Sequence, residues 1–86
     1  MHITLEADYA VRIVSCLSTA EKRLDAKTIS EQASVTQRFA LKILRKLVAN
    51  GLIKSFKGTQ GGYELAKNPS EISLKNVIET VEGQYH

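Results

Sequence analysis

Two helix starts separated by a very short connection constrain this chain more than any other feature. Asp25 and Thr36 are both good N-cap residues, because a side-chain oxygen there accepts an amide proton that the helix start leaves unpaired. Asp25 opens a short helix to about Ala33, with Leu24 before the cap and Ile29 inside the helix forming a hydrophobic staple. Ser34-Val35-Thr36 is a tight connection, and Thr36 opens a longer helix, Gln37 to Asn50, stopped at Asn50-Gly51. Two short helices joined in this way, the second of them basic, carry the signature of a helix-turn-helix.

The flanks complete a small domain. Leu5 to about Ser18 reads as an amphipathic helix in which Ala10, Ile13, Val14 and Leu17 fall together and Asp8, Arg12, Ser15 and Thr19 fall opposite. Asp8 and Arg12, acid first, form a favourable surface pair. Beyond Gly51 the period changes. Leu52–Phe56 and Tyr63–Ala66 read as two strands around Lys57-Gly58-Thr59-Gln60-Gly61-Gly62, a glycine-rich hairpin tip. After Asn68-Pro69, Ser73 caps a last helix, Leu74 to Glu82, closed by Gly83. The fold class is therefore mainly α with a small β-hairpin wing, a winged helix-turn-helix occupying residues 1–86 as one domain. A chain of 86 residues buries only roughly 60% of its unfolded surface, so the core is thin but needs no staples.

Composition removes several function classes. No apolar run reaches the ~18 residues of a membrane span, and the N-terminus lacks the pattern of a signal peptide. The expectation is no membrane partner and a cytoplasmic location. Cys16 is the single cysteine, and His2 and His86 sit at the extreme ends, so thiols and imidazoles cannot assemble a zinc or iron site. The same histidine placement excludes a Ser–His–acid set, and no enzyme chemistry is expected. Glu64, Glu71, Glu79 and Glu82 read as solubilising charge. Cys16 flanks the buried face of the first helix, as a small apolar residue rather than a reactive thiol. The hairpin is no nucleotide-binding loop either, since a strand, not a helix, follows its glycines.

Charge points to a polyanion. From Val35 to Gly58 there are six bases (Arg38, Lys42, Arg45, Lys46, Lys54 and Lys57) and no acid, whereas the rest of the chain holds six bases and nine acids. On the third helix Arg38, Lys42 and Arg45 fall within about 60° of one another, opposite Ile43, Leu44 and Leu47, with Lys46 flanking. Such a stripe fits a major groove, with bases reaching phosphates. Thr36, Gln37, Arg38 and Phe39 form the first turn, which in a recognition helix meets base edges. Gln and Arg bond adenine and guanine edges bidentately. Phe39 is either a thymine-methyl contact or a flank of the core, and Leu41 either a methyl contact or partly buried. Lys57 with Gly58, Thr59, Gln60, Gly61 and Gly62 forms a second candidate surface, over a minor groove, where the glycines let backbone N–H groups approach phosphates. The competing view of that segment is a plain glycine hairpin.

Several segments together resemble one family. They are Ile3-Thr4 with Asp8-Tyr9-Ala10-Val11-Arg12, Val48 through Ser55, Gly58 through Ala66 across the wing, Pro69 through Ser73, Val77-Ile78-Glu79, and Val81-Glu82-Gly83. They resemble the Rrf-two family of bacterial winged-helix repressors over nearly the whole chain. The resemblance implies a DNA-binding transcriptional regulator, normally a repressor, acting as a homodimer on a pseudo-palindromic operator. It implies major-groove roles for Thr36, Gln37, Arg38, Phe39 and Lys42, and a minor-groove role for Lys57 and its glycine tip.

Family members continue past this point with a loop, which carries three cysteines in the iron–sulphur members, and then a long helix that crosses to the partner. The sequence stops at His86, so the expectation is a form with no cluster, no metal and no such clamp. Any homodimer would use the first or last helix, through Val77, Ile78 and Val81. Asp8, at a position where some cluster-binding members place a ligand, is expected to pair with Arg12 instead. Ala40 stands where relatives carry a larger apolar residue, which implies looser packing of the third helix. Ser34 replaces a glycine common in the turn, at a small backbone cost. The reading from another class is a winged-helix interaction module whose basic face docks on a protein partner or forms mixed dimers with a related regulator. Such a module would lack the steep salt dependence of phosphate binding.

Overall fold

The computed structural model describes residues 4–83. Ile3 of the N-terminal motif and both histidines lie outside the described residues. The elements run α1 (Leu5–Thr19), α2 (Ala26–Ala33), α3 (Gln37–Ala49), β1 (Ile53–Phe56), β2 (Gly62–Leu65), a 3-10 turn (Pro69–Glu71) and α4 (Leu74–Glu82). All four α-helices among the described residues begin on a side-chain cap. Thr4 Oγ1 accepts from the Ala7 amide at 3.1 Å, Asp25 Oδ1 from Thr28 at 2.7 Å, Thr36 Oγ1 from Phe39 at 3.2 Å, and Ser73 Oγ from Asn76 at 3.0 Å. The caps at Asp25, Thr36 and Ser73 are those the sequence predicts.

The turn between α2 and α3 shows how the two helices are joined. Ser34 has φ 58° and ψ 47°, the left-handed region, and is the only described non-glycine residue with positive φ. Val35 N–H donates to Ser30 C=O at 2.9 Å and Ser34 N–H to Glu31 C=O at 3.4 Å, while Val35 turns into the core. That is a Schellman closure. α3 ends in the same way, with Leu52 N–H on Leu47 C=O at 3.0 Å, Gly51 N–H on Val48 C=O at 3.1 Å, and Gly51 at φ 78°. Glycine takes this conformation without steric cost, and serine does not.

The core is one cluster fed by all four described helices and by Ile53 of β1. α1 contributes Ala7, Ala10, Ile13 and Leu17; α2 contributes Ile29 and Ala33; α3 contributes Ala40, Ile43, Leu44 and Leu47. Ala40 is fully buried. Val14, grouped with the buried face from the sequence, is only half-buried. Val77, Ile78 and Val81 of α4 also lie in this core, so they are spent inside the molecule and cannot form the copy-to-copy contact expected of them.

The wing has the two strands expected from the sequence, with bounds shifted by a residue and one further backbone pairing. β1 and β2 pair antiparallel as Ile53↔Leu65, Lys54↔Glu64, Ser55↔Tyr63 and Phe56↔Gly62. Leu52 and Ala66 fall outside the strands, although Ala66 N–H still reaches Leu52 C=O at 2.9 Å. Leu24, read only as a staple, also supplies a third backbone pairing: its N–H donates to Tyr63 C=O at 3.1 Å and Tyr63 N–H returns to Leu24 C=O at 2.8 Å. Gly62 makes that approach possible. A Cβ there would stand 2.8 Å from Leu24 O, and its φ is 134°. The Leu24 edge is not legible in the sequence, because a single bridging residue has no periodicity to read.

Lys46, beside the basic stripe of α3, turns its ammonium inward. Its Nζ lies 3.0 Å from Glu6 Oε1 on α1 and 3.0 Å from the Val81 carbonyl at the end of α4. One ammonium thus ties three helices, at an α4 C-terminus where a cation is favoured. Glu82, expected as solubilising charge, accepts from Thr4 N–H at 3.2 Å at the same junction.

Two stability predictions follow from these contacts. Ser34→Gly relieves the left-handed serine and should raise unfolding free energy by about 0.5–1 kcal/mol, measured by urea titration. The hydrogen bond from Lys46, aided by its charge and that of Lys42, holds the Glu6 carboxyl below the usual carboxylate range. A lowered native pKa means the contribution is complete at neutral pH and is lost as pH falls below about 4.3 toward the lowered value. Lys46→Met should therefore cost about 1 kcal/mol at pH 7, after allowance for partial exposure, and the gap to wild type should close in acid. A gap independent of pH would remove the Glu6 link.

Candidate nucleic-acid interface

α3 turns its buried stripe inward, and the opposite side is what remains for a partner. Thr36, Gln37 and Arg38 are exposed, as are Lys42 and Arg45. The Thr36 hydroxyl oxygen accepts from the Phe39 amide at the cap and keeps its own O–H, and Gln37 and Arg38 add the amide and guanidinium donors of the first turn. Phe39 is half-buried and meets Tyr9 of α1 edge-on, with centroids 5.3 Å apart and rings at 85°. Of its two readings the flank of the core describes most of its surface, and Leu41 is likewise half-buried. The aromatic pair braces the first turn of α3 against α1.

The six bases of the acid-free block differ in how far they are neutralised. Lys46 is tied down internally. Lys42 Nζ stands 3.5 Å from Glu6 Oε1, with its side chain 59% exposed, and 5.6 Å from the Phe39 ring centroid. It is held loosely, by a carboxylate whose shorter bond goes to Lys46. Arg38, Arg45, Lys54 and Lys57 are exposed and have no acidic partner among the described residues. Outside the block, Arg12 pairs with Asp8 at 2.8 Å, as the sequence predicts.

At the wing, Lys57, Gly58, Thr59 and Gln60 point to solvent, whereas Gly61 and Gly62 are half-buried. Gly61 N–H donates to Gly58 C=O at 3.0 Å, closing the tip, and a Cβ on Gly61 would stand 2.5 Å from Phe56 O. These two glycines build the turn, and the Gly61 amide is not free for a phosphate. Gly58, at φ 93° with open space around its Cα, is the tip glycine that leaves room for an approaching backbone.

Arg23 is a residue the sequence reading missed. From the loop before α2 its guanidinium carbon lies 3.4 Å from the Phe56 ring centroid, its Nε bonds Glu64 Oε1 at 2.8 Å, and its Nη1 bonds Gln60 C=O at 3.2 Å. Glu64 is thus a structural partner and not merely a solubilising charge. The only available signal was the opposite sign of two residues far apart in sequence, which by itself points nowhere.

Among the described residues, no group of three or more His, Cys, Asp or Glu side chains could hold a metal ion. Cys16 is half-buried, its thiol donates to Gln32 Oε1 at 2.9 Å, and burial pushes its pKa up, away from a reactive thiolate. Nor is any described helix long and apolar enough to cross a membrane.

The sequence and fold are similar to those of known proteins. The transcriptional regulator NsrR of Geobacillus kaustophilus is 31% identical over 84 residues, covering 95% of this chain and 57% of that protein. Among solved structures, IscR of T. potens superposes with a TM-score of 0.88 at 28% identity, over 96% of this chain and 62% of that one. CymR, described as the global cysteine regulator of B. subtilis, gives 0.90 at 26% identity over 98% and 67%. The chain spans about half the length of the curated relatives it matches. The family model named Rrf2, described as an iron-dependent transcriptional regulator, matches residues 3–86, although the donor set of the described residues does not fit an iron site. The chain belongs to the Rrf2 family of winged-helix transcriptional regulators.

Proposed function

We propose that this chain is the sequence-specific, double-stranded-DNA-binding part of a transcriptional repressor, working in the cytoplasm. The observation that carries the reading is the exposed first turn of α3, with Gln37 and Arg38 free, backed by cations that no acid neutralises. In this reading α3 enters the major groove: Gln37 and Arg38 meet base edges, Thr36 and Phe39 shape the turn, and Lys42 and Arg45 reach phosphates. Lys57, with Gly58, Thr59 and Gln60, lies over the minor groove. Lys42 exchanges a weak contact with Glu6 for a phosphate. No cofactor is assigned to residues 4–83. Two copies would read an inverted repeat, and their contact does not run through the buried stripe of α4.

Selection from a randomised duplex pool at about 100 mM salt tests the reading directly. An enriched inverted repeat supports base readout by two copies, and a single half-site supports readout by one. No enrichment, together with a flat dependence of log K on log salt, would replace DNA with a protein partner. Arg38→Ala should cost roughly 1–3 kcal/mol and relax specificity at its base pair, whereas Lys57→Ala should weaken all sequences and lower the salt slope by about 1. Lys46→Met should leave that slope unchanged, because its ammonium is already bonded inside the protein.

A further inference from the structure

The loop at the tip of the wing borders a cleft. Between the end of α1 and the hairpin tip lies an open cleft of about 830 Å³, lined by Leu17, Ala20, Glu21, Thr59, Gln60 and Leu65 among others. The Leu24–Tyr63 backbone pair fixes the hairpin one register position short of its last pair, Phe56↔Gly62, and the loop that carries Lys57 to Gln60 lies beyond it. One side chain spans the gap. Arg23 stacks on Phe56 of β1, bonds Glu64 of β2, and bonds the Gln60 carbonyl in the tip itself. Lys54, Phe56 and Glu64 share one face of the hairpin by register, so Arg23 clasps both strands from that face.

We infer that Arg23 is a positioning residue for the wing, one that holds the tip at the angle where Lys57 engages DNA. The inference rests on the DNA-binding reading above and extends it to a residue that itself touches no DNA. Three contacts at once require a planar, forked cation: the stack uses its face, and the two bonds use separate nitrogens on its edge. A lysine ammonium at this position keeps the charge but cannot make all three contacts. That difference separates positioning from simple electrostatic attraction.

The test is a double-mutant cycle on the selected duplex, with Arg23→Gln, Arg23→Lys, Lys57→Ala and Arg38→Ala in the full chain. Thermal melts verify that each variant folds. Lys57→Ala in the wild-type background should weaken binding about fivefold. In Arg23→Gln the same change should have less than about half that effect, while Arg38→Ala keeps its full effect. Arg23→Lys should behave like Arg23→Gln. Amide hydrogen exchange without DNA gives an independent readout, and the Gly61 amide should exchange faster in both Arg23 variants. Additivity between Arg23 and Lys57, rescue by lysine, or unchanged exchange at Gly61 would overturn the assignment. If the wild-type chain bound no duplex, the DNA-binding reading would fail, and the exchange result would still decide whether Arg23 orders the tip.

Discussion

The turn between α2 and α3 is the constraint on which the rest of the molecule hangs. Its donors and acceptors are closed locally: α2 ends on the Ser30 and Glu31 carbonyls, and α3 begins on the Thr36 hydroxyl three residues later. With so few residues there is almost no freedom in how α3 leaves α2. Val35 seals the turn from within by burying its side chain. The left-handed serine is a local cost accepted for that geometry. Once α3 is set at this angle, Ile43, Leu44 and Leu47 face α1 and the core, and the first turn of α3 is left exposed.

A small core leaves charge to do much of the joining. Positive side chains outside the apolar cluster tie elements together: Lys46 gathers α1, α3 and α4, and Arg23 gathers the loop before α2 and both strands. Each is partly exposed, so each contributes modestly to stability. Their larger effect is geometric, because each bond has a fixed length and direction. The consequence for recognition is a division of labour among the bases. Those used for construction are satisfied within the chain, while Arg38, Arg45, Lys54 and Lys57 keep an unbalanced field toward solvent.

How far the fold was legible depended on whether its determinants were local. The caps at Asp25, Thr36 and Ser73, the stop at Gly51 and the Asp8–Arg12 pair are all decided within a few residues, and a sequence shows them directly. The apolar stripes of α1 and α3 are periodic and legible for the same reason. For α4 the stripe was visible but its partner was not. Val77, Ile78 and Val81 could equally face a second molecule, and only the packing of α4 on α1 and α3 puts them inside. The candidate site divides similarly. Exposure of Gln37, Arg38, Lys42 and Arg45 follows from helical phase, while the withdrawal of Lys46 depends on a carboxylate forty residues away.

The amino-acid sequence by itself determined the order of elements, the helix boundaries, the basic helix and the glycine-rich hairpin, because each rests on short-range hydrogen bonding and periodicity. Tertiary structure alone decided which cations are spent and which are free, that Leu24 extends the wing by a strand edge, and that Arg23 spans the cleft beneath its tip. Those outcomes turn on distances between residues far apart in the chain. Charge and hydropathy along a sequence carry no record of such distances until the core has closed.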